Sequence, residues 1–545
     1  MKVAFVYTEN EYWALGMRSI SAVLKETGIA TRLLFMPAKD IYSPEIIQSA
    51  LDLVEDVDLI GISSFSRGAT KAIQLLKHFK KVNKLTVWGG VHATLNPEEC
   101  TEYADLVCRG EGEGFILDLV RCLESGREIK EVCNAAWRNH GHVVLNPCRE
   151  LICDLDSLPL PDFSFEEEFH LKDRKFVKIQ SLSDSQRPIV FNGSRGCARQ
   201  CTYCSNAKLK QLYSSSQGYA RKMTVARFLE HAVQLRRIFP DAKYFFFGDE
   251  DFFARKLGEI EEFAVQYKEQ VGLPFECMAS APQITEDKLR LLTEAGLWRL
   301  GMGIESGSDR TKKEVYRRFI LNQAILKSAD TINKFPQVVP LYFFIIGNPY
   351  EEREDLLQTY QLIYKLPRGF YTRIYNLIFI PGTQLYEQAV RDKIITGWAD
   401  SAFEVDFLAG FKYHGHSWKQ RNLYLNGLIF LMEGRSTTLR VGLLPRCLLN
   451  LLIHPGIIQF NEKVTYPIRA LIHIKYGLIK LRSLAAFIIR ALVSDYVLVY
   501  NRRLWPKLKL TSFASKGPAE ALKVIPADST VPSQSAEFGR IPEET

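Results

Sequence analysis

The 545-residue sequence predicts an α/β protein in three parts: an N-terminal doubly wound parallel sheet, a partial (β/α)6 TIM-like barrel and a helical C-terminal extension. Three observations predict it. Short apolar runs alternate with amphipathic stretches over residues 1–125. The same rhythm restarts at Ile189, directly after Pro188. From about residue 410 the pattern changes to apolar stretches studded with Arg and Lys. Alternating β and α segments build parallel sheets, and a chain of this length exceeds a single core.

In the first part, Val3–Tyr7 reads as a strand and Gly16–Thr27 as a helix. Asp58–Ser63 is a strand, Gly68–Lys81 a helix, Leu85–Trp88 a strand, and Leu106-Val107 a short strand before a glycine-rich turn. The strand ends carry turn residues: Ser63-Ser64, Gly89-Gly90 and Gly110-Glu111-Gly112. In open α/β sheets ligands sit beyond those carboxyl ends. Residues 126–188 have few periodic runs and read as a connector.

The second series, residues 189–400, has candidate strands at Ile189–Asn192, Tyr244–Phe247, Phe275–Ala279, Arg299–Gly303, Leu341–Ile346 and Ile374–Ile380. Helical runs lie between them at Val225–Ile238, Gly258–Gln270, Glu286–Glu294, Gln323–Asn333 and Arg353–Lys365. Barrels of this kind place chemistry at the C-terminal ends of the strands.

Hydrophobic residues make up 47% of the chain and charged ones 24%, which is ordinary for a folded soluble protein. The start, Met1–Tyr7, lacks the longer apolar core and cleavage site of a signal peptide. With 11 cysteines, an odd count, the expectation is cytosolic thiols, some of them metal ligands, and not a disulfide framework. The net charge of +8 is uneven: Arg435–Leu510 holds thirteen Lys and Arg against Glu462 and Asp495. Residues 401–510 are expected as basic apolar helices and 511–545 as a disordered tail. No run of roughly 20 uncharged residues occurs there, because Arg482, Arg490 and Asp495 interrupt. Spaced cations on apolar helices suit a peripheral contact of 420–510 with the inner face of a membrane, and a helical cap with a solvated basic face is the alternative. No recognisable nucleic-acid fold accompanies the charge, so no nucleic-acid partner is expected.

The decisive stretch is Gly193-Ser194-Arg195-Gly196-Cys197-Ala198-Arg199-Gln200-Cys201-Thr202-Tyr203-Cys204, directly after the first barrel strand. Three thiolates in one loop can ligate three irons of a cubane and leave the fourth open. Structural zinc needs four ligands in a closed shell. The nearest His or Cys after Cys204 is His231, inside a predicted helix, and the nearest Cys before Cys197 is Cys153, so a local fourth ligand is missing.

This Cys-x3-Cys-x2-Cys loop, with an aromatic residue before its last cysteine, resembles the signature of the radical S-adenosylmethionine (SAM) superfamily. The resemblance implies a [4Fe–4S] cluster on Cys197, Cys201 and Cys204, SAM chelating the open iron, and a 5′-deoxyadenosyl radical formed by its cleavage. Tyr203 matches the position that meets the adenine. Phe247-Gly248-Asp249-Glu250-Asp251-Phe252 resembles an acidic strand end of cobalamin-type relatives, which implies Asp249 and Glu250 toward the methionyl ammonium. Gly303-Ile304-Glu305-Ser306-Gly307 matches a family stretch whose glutamate lies near the nucleoside, which implies Glu305 and Ser306. Asn348 departs from the usual Leu-Pro-Gly of the fifth strand end.

The N-terminal motifs around Ser63, Gly89, Gly90, His92, Gly110 and Glu111 resemble the cobalamin-binding domain that precedes many such barrels. The Asp-x-His-x-x-Gly motif that supplies an imidazole to cobalt is absent, and His92 reads as a loop hydrogen-bonder. The resemblance implies a cobalamin-dependent methyltransferase acting on an unactivated carbon of a hydrophobic or lipid-like small molecule. It also implies an external electron donor of the flavodoxin or ferredoxin type. The alternatives are a radical oxidative cyclase, as in the anaerobic magnesium-protoporphyrin cyclase group, and a non-catalytic cobalamin or iron–sulfur sensor. A cytoplasmic location, peripheral to the membrane, goes with these expectations.

Overall fold

The computed structural model describes residues 1–38, 40–182, 188–213, 218–367, 369–397 and 420–463. The apolar runs Ile468–Leu484 and Phe487–Tyr500 and the tail 511–545 lie outside the described residues. The chain forms two compact units.

The first unit comprises Met1–Ser183, Phe191–Ile238 and Ile378–Glu404. Its centre is a sheet of strands β1 (Lys2–Tyr7), β2 (Ala30–Phe35), β3 (Leu59–Ser63), β4 (Leu85–Gly89), β5 (Leu106–Cys108), β6 (Ala135–Asn139), β7 (His142–Leu145), β8 (Glu168–Lys172) and β9 (Lys175–Lys178). Their order is β7-β6-β5-β4-β3-β1-β2-β8-β9. Strands β5, β4, β3, β1, β2 and β8 run parallel, while β6, β7 and β9 pair antiparallel at the edges. The order of the first five strands reverses between β1 and β3, the place where doubly wound sheets bind ligands.

Alternation along β1 shows why the sheet is covered on both faces. Val3 and Phe5 pack with Met17 and Leu24 of the helix Leu15–Glu26 and with Phe115 and Leu119 of the helix Glu113–Ser125. Ala4 and Val6 face the other way, onto Ile46 and Ile47 of the helix Pro44–Asp52 and Leu75, Leu76 and Phe79 of the helix Ala69–Phe79. Burial on this scale stabilises by about 25 cal/mol for each Å² of apolar surface removed from water.

Residues 126–188, expected as a connector, supply β6 to β9 and so widen the sheet on both sides. β2 was also absent from the sequence reading. Its Arg32 breaks the apolar run, but that guanidinium is held by Glu167 at 2.7 Å and Asp56 at 2.6 Å.

The second unit comprises Asp184–Val190, Phe239–Leu377 and Val405–Thr545. Its strands are β10 (Ile189–Phe191), β13 (Phe245–Phe247), β14 (Phe275–Ala279), β15 (Leu297–Glu305), β16 (Val339–Ile346), β17 (Tyr371–Asn376) and β18 (Gly434–Arg435), in that spatial order. Strands β13 to β17 are parallel neighbours, each returned by a helix: Leu257–Gln270, Glu286–Ala295, Asn322–Asn333 and Arg353–Lys365. This is the run of a (β/α) barrel laid strand after strand. Strand β17 was expected later, at Ile374–Ile380. The ladder stops at Asn376, ahead of Pro381, whose ring cannot donate to it.

Candidate functional site

In the first unit, a two-stranded ladder of β11 (Ser194–Arg195) and β12 (Arg221–Lys222) brackets the cysteine loop. Cys201 is buried; Cys197 and Cys204 are half-buried. The Cys204 N–H donates to the Cys201 carbonyl at 3.1 Å, a turn that leads into the helix Ser205–Lys210. The Arg199 N–H lies 3.5 Å from Cys197 Sγ, on the side that favours a thiolate. Gly196 enters the loop with φ +79°, and a Cβ there would stand 2.2 Å from the Tyr219 carbonyl oxygen, so only glycine fits. Thr202 accepts the Leu385 N–H at 3.0 Å, which anchors the turn beside the half-buried Tyr203.

Two arginines on the ladder fix the loop to the end of β5. Arg195 lies 2.6 Å from Glu113 and 3.2 Å from Glu111, and Arg221 lies 2.9 Å from Glu111. Burial would raise the Glu111 carboxyl. Hydrogen bonds from Arg221 and the charges of both arginines hold it below its usual value instead. Glu111 thus engages two guanidinium groups and the Ile152 N–H at 3.0 Å. Gly110, with φ +81°, permits the approach of Tyr213, whose hydroxyl oxygen would stand 2.4 Å from a Cβ.

Around β1 and β3 the sequence-marked residues gather as follows. Gly90 has φ +91°, and a Cβ would meet the Ser64 carbonyl at 2.7 Å. Ser63 is half-buried at the β3 end, where its carbonyl accepts the Thr8 N–H at 3.4 Å. Gly89 ends β4. His92 is fully buried, with Nδ1 3.1 Å from Ser66 Oγ, and burial pushes the ring down to about 4, so it is neutral. Glu9, which the sequence reading did not single out, is buried at the β1 end and accepts the N–H groups of Phe65 at 2.8 Å and Gly68 at 3.0 Å. Burial pushes its carboxyl up to about 7, against those two bonds and the charge of Arg67.

In the second unit, the acidic end of β13 divides. Asp249 is buried beside Arg255 at 3.4 Å, Asp251 accepts the Ser280 hydroxyl, and Glu250 is exposed. At the end of β15, Glu305 adopts a left-handed φ of +69° and lies 3.9 Å from Arg318. Ser306 is fully buried, and its hydroxyl donates to Glu351 at 2.9 Å.

Residues 191–363 match the model of the radical SAM superfamily, and residues 1–120 match that of the B12 binding domain. The chain carries a radical SAM domain and a B12-binding domain. The enzyme is 29% identical over 349 residues to an uncharacterized methyltransferase of Pyrococcus horikoshii, covering 62% of this chain and 71% of that one. It is 27% identical over 316 residues to the anaerobic magnesium-protoporphyrin IX monomethyl ester cyclase of Rubrivivax gelatinosus, with 56% and 54% covered. The chain therefore spans about half the length of that cyclase. Among solved structures it resembles the cobalamin-dependent SAM radical enzyme OxsB with aqua-cobalamin and SAM bound, at a TM-score of 0.55 and 18% identity, covering 72% of this chain and 55% of that one.

The cofactors of this cobalamin-dependent radical SAM enzyme are a [4Fe–4S] cluster, SAM and cobalamin. Its own residues fit them. Among the described residues no three His, Cys, Asp or Glu side chains converge on a single-ion site. A cubane asks for something else, three thiols each on a separate iron, and one short turn carries three. Gly90 lets the loop after β4 pack directly against the Ser63-Ser64 backbone at the end of β3, where a Cβ would meet the Ser64 carbonyl and N–H.

Proposed function

We propose that this enzyme generates a 5′-deoxyadenosyl radical and methylates an unactivated carbon of a hydrophobic or biosynthetic small molecule. The observation that carries the reading is the anchoring of the cysteine loop on the cobalamin-type sheet through Arg195, Arg221, Glu111 and Glu113. When bound, the cluster and SAM supply the radical and cobalamin supplies a methyl carrier. In the first unit, Cys197, Cys201 and Cys204 hold the cluster, Tyr203 meets the adenine, and the β3, β4 and β5 ends receive the corrin. In the second unit, Asp249, Glu250, Glu305 and Ser306 serve the methionyl and nucleoside groups. The neutral imidazole of His92, turned onto Ser66, would hold the loop after β4 in place beneath a bound corrinoid. A flavodoxin- or ferredoxin-type protein delivers the electron.

Similarity to the Pyrococcus horikoshii methyltransferase favours methyl transfer, and similarity to the Rubrivivax gelatinosus cyclase favours the second reading, radical ring closure. Incubation of the anaerobic, reconstituted enzyme with methyl-labelled SAM separates the two. Label in the product supports methylation; unlabelled, oxidised product supports the cyclase reading. With the cluster intact and reduced, failure to release 5′-deoxyadenosine overturns both and leaves the sensor.

Among the described residues no helix is long and apolar enough to cross a membrane. A peripheral contact is nonetheless part of the proposal. Leu439, Leu448 and Leu451 are exposed at 80%, 43% and 54%, close to Arg440 and Arg446, just ahead of the basic sequence 464–510. Each cation near anionic lipid contributes about 1 kcal/mol. Co-sedimentation with phosphatidylglycerol vesicles, lost on pure phosphatidylcholine, is expected; equal sedimentation with both, or with neither, removes the contact.

A further inference from the structure

Glu305 ends β15 in a left-handed backbone conformation that is unfavourable for a non-glycine residue, so its surroundings must hold it there. They act through the next three residues. Ser306 donates to Glu351 Oε1 at 2.9 Å and lies 3.2 Å from Thr359 Oγ1. The Ser308 N–H closes back onto Ser306 Oγ at 3.1 Å, and the Gly307 N–H reaches Thr359 Oγ1 at 2.7 Å. A Cβ on Gly307 would stand 2.3 Å from Thr359 Cα, so the helix Arg353–Lys365 presses directly on this turn. Glu351 comes from the loop after β16, and its own carbonyl accepts Asn422 Nδ2 at 3.0 Å.

We propose that Glu351 is a positioning residue that holds the turn 305–308 and thereby aims the Glu305 carboxylate at SAM. The inference rests on the reading of Glu305 as a SAM-binding residue. Glu351 touches no substrate atom; it acts through Ser306.

Its chemistry suits the role. Burial pushes the Glu351 carboxyl up to about 8, and the charge of Asp355 adds to the rise, while the Ser306 and Thr311 hydroxyls and the charge of Arg310 oppose it. At neutral pH the group is therefore a carboxylic acid, which accepts from Ser306 on Oε1 and has a proton to donate from Oε2. Glu351 Oε2 and Thr311 Oγ1 are both buried and have no other partner among the described residues, and they face one another. The charged and titratable groups around it are Asp355 from the helix Arg353–Lys365, and Arg310 and Tyr316 from the segment after β15. Asp355 is held low by hydrogen bonds from Arg310 and Ser308, against its burial, so it stays anionic. Ionisation of Glu351 would place a second carboxylate beside it with Arg310 already engaged. The Ser306 and Thr311 hydroxyls favour the ionised form but offset its burial and the Asp355 charge only in part, so the loop that carries Glu351 is drawn toward water and the turn should loosen as that proton leaves.

The test uses four anaerobic holoenzymes: wild type, Glu351→Gln, Glu351→Ala and Glu305→Gln. SAM affinity is measured by equilibrium dialysis between about pH 6.5 and 9.5, alongside infrared detection of the protonated carboxyl. Wild-type affinity should hold near neutral pH and fall roughly ten-fold across the upper part of that range, in step with loss of the carboxylic-acid band. Glu351→Gln, neutral at every pH and still able to accept from Ser306, should bind SAM as wild type does at neutral pH, show no such fall and lack the band. Glu351→Ala should bind roughly ten-fold more weakly at all pH values with its iron content unchanged. A wild-type affinity that stays flat while the band titrates overturns the proposal. So does a Glu351→Gln profile that breaks where wild type breaks. If Glu305→Gln leaves SAM affinity intact while the Glu351 band still titrates, the reading of Glu305 has failed and not the tie to Ser306.

Discussion

Arg18 and Glu168, 150 residues apart in sequence, form a fully buried bidentate ion pair with contacts of 2.7 and 2.8 Å. The other guanidinium donors reach the carbonyls of Tyr12, Trp13 and Asp162, so every N–H is matched. Glu168 also accepts from His170 at 2.6 Å. Through this pair the first helix of the chain fixes β8 at the edge of the parallel sheet. Arg18→Ala would leave a carboxylate buried without its partner and is expected to cost about 3–5 kcal/mol. Thermal unfolding of the anaerobic protein checks this, and a loss below about 1 kcal/mol would show that the pair carries little.

Gly196 and Gly126 give a matched comparison. Both have positive φ, at +79° and +65°, but a Cβ on Gly126 meets nothing within 4 Å. Gly126→Ala should cost only about 1 kcal/mol of backbone strain and retain iron. In Gly196→Ala the new methyl would collide with backbone at Tyr219, so the cysteine loop must shift and iron per protein should fall by more than half. Equal iron content in the two variants would remove the claim that this turn admits glycine alone.

Arg195 is the hinge between carboxylates and thiols. Replacing it with Ala should cost about 2–4 kcal/mol, since Glu113 loses a partner at 2.6 Å in a mostly buried setting. A double-mutant cycle with Glu113→Gln should be strongly non-additive. Additive losses in melting experiments would mean the two residues act independently.

Glu9 predicts a pH dependence. Its carboxyl is raised in the folded protein, from 4.5 to about 7. Its stabilising effect is therefore full below the unfolded value and is lost as pH rises through about 7. The loss is on the order of 3 kcal/mol. The melting temperature should decline from about pH 5 to 8, and Glu9→Gln should flatten part of that decline. An unchanged slope in the variant would place the titrating group elsewhere.

How much of this was legible in the sequence depends on the kind of interaction. Strands such as Phe275–Ala279 and helices such as Val225–Ile238 and Arg353–Lys365 were readable because periodicity reports which face is buried. The cysteine loop was readable because its three thiols lie close together in sequence. β8 was not, since its inward residues Glu168 and His170 are polar and become core only when Arg18 and the stacked ring of Tyr12, 4.6 Å away, meet them. Glu9 and Glu351 look like solvated acids until burial and their partners across the fold are known. Arg195 and Arg221 carry no signal of their own in the sequence, yet their ion pairs with Glu111 and Glu113 place the loop. Glu111 stands among the cobalamin-domain motif residues in the sequence, and its guanidinium partners could not be inferred from spacing.

The first unit is assembled from three stretches of chain, so the thiol-bearing turn and the sheet whose last strand ends at Lys178 belong to one compact body. Engineers who wish to exchange the corrinoid module for one of different preference cannot cut at residue 183 alone. A chimera that takes only the leading segment would bring foreign carboxylates to Arg195 and Arg221, and its metal centre would be the first thing to fail.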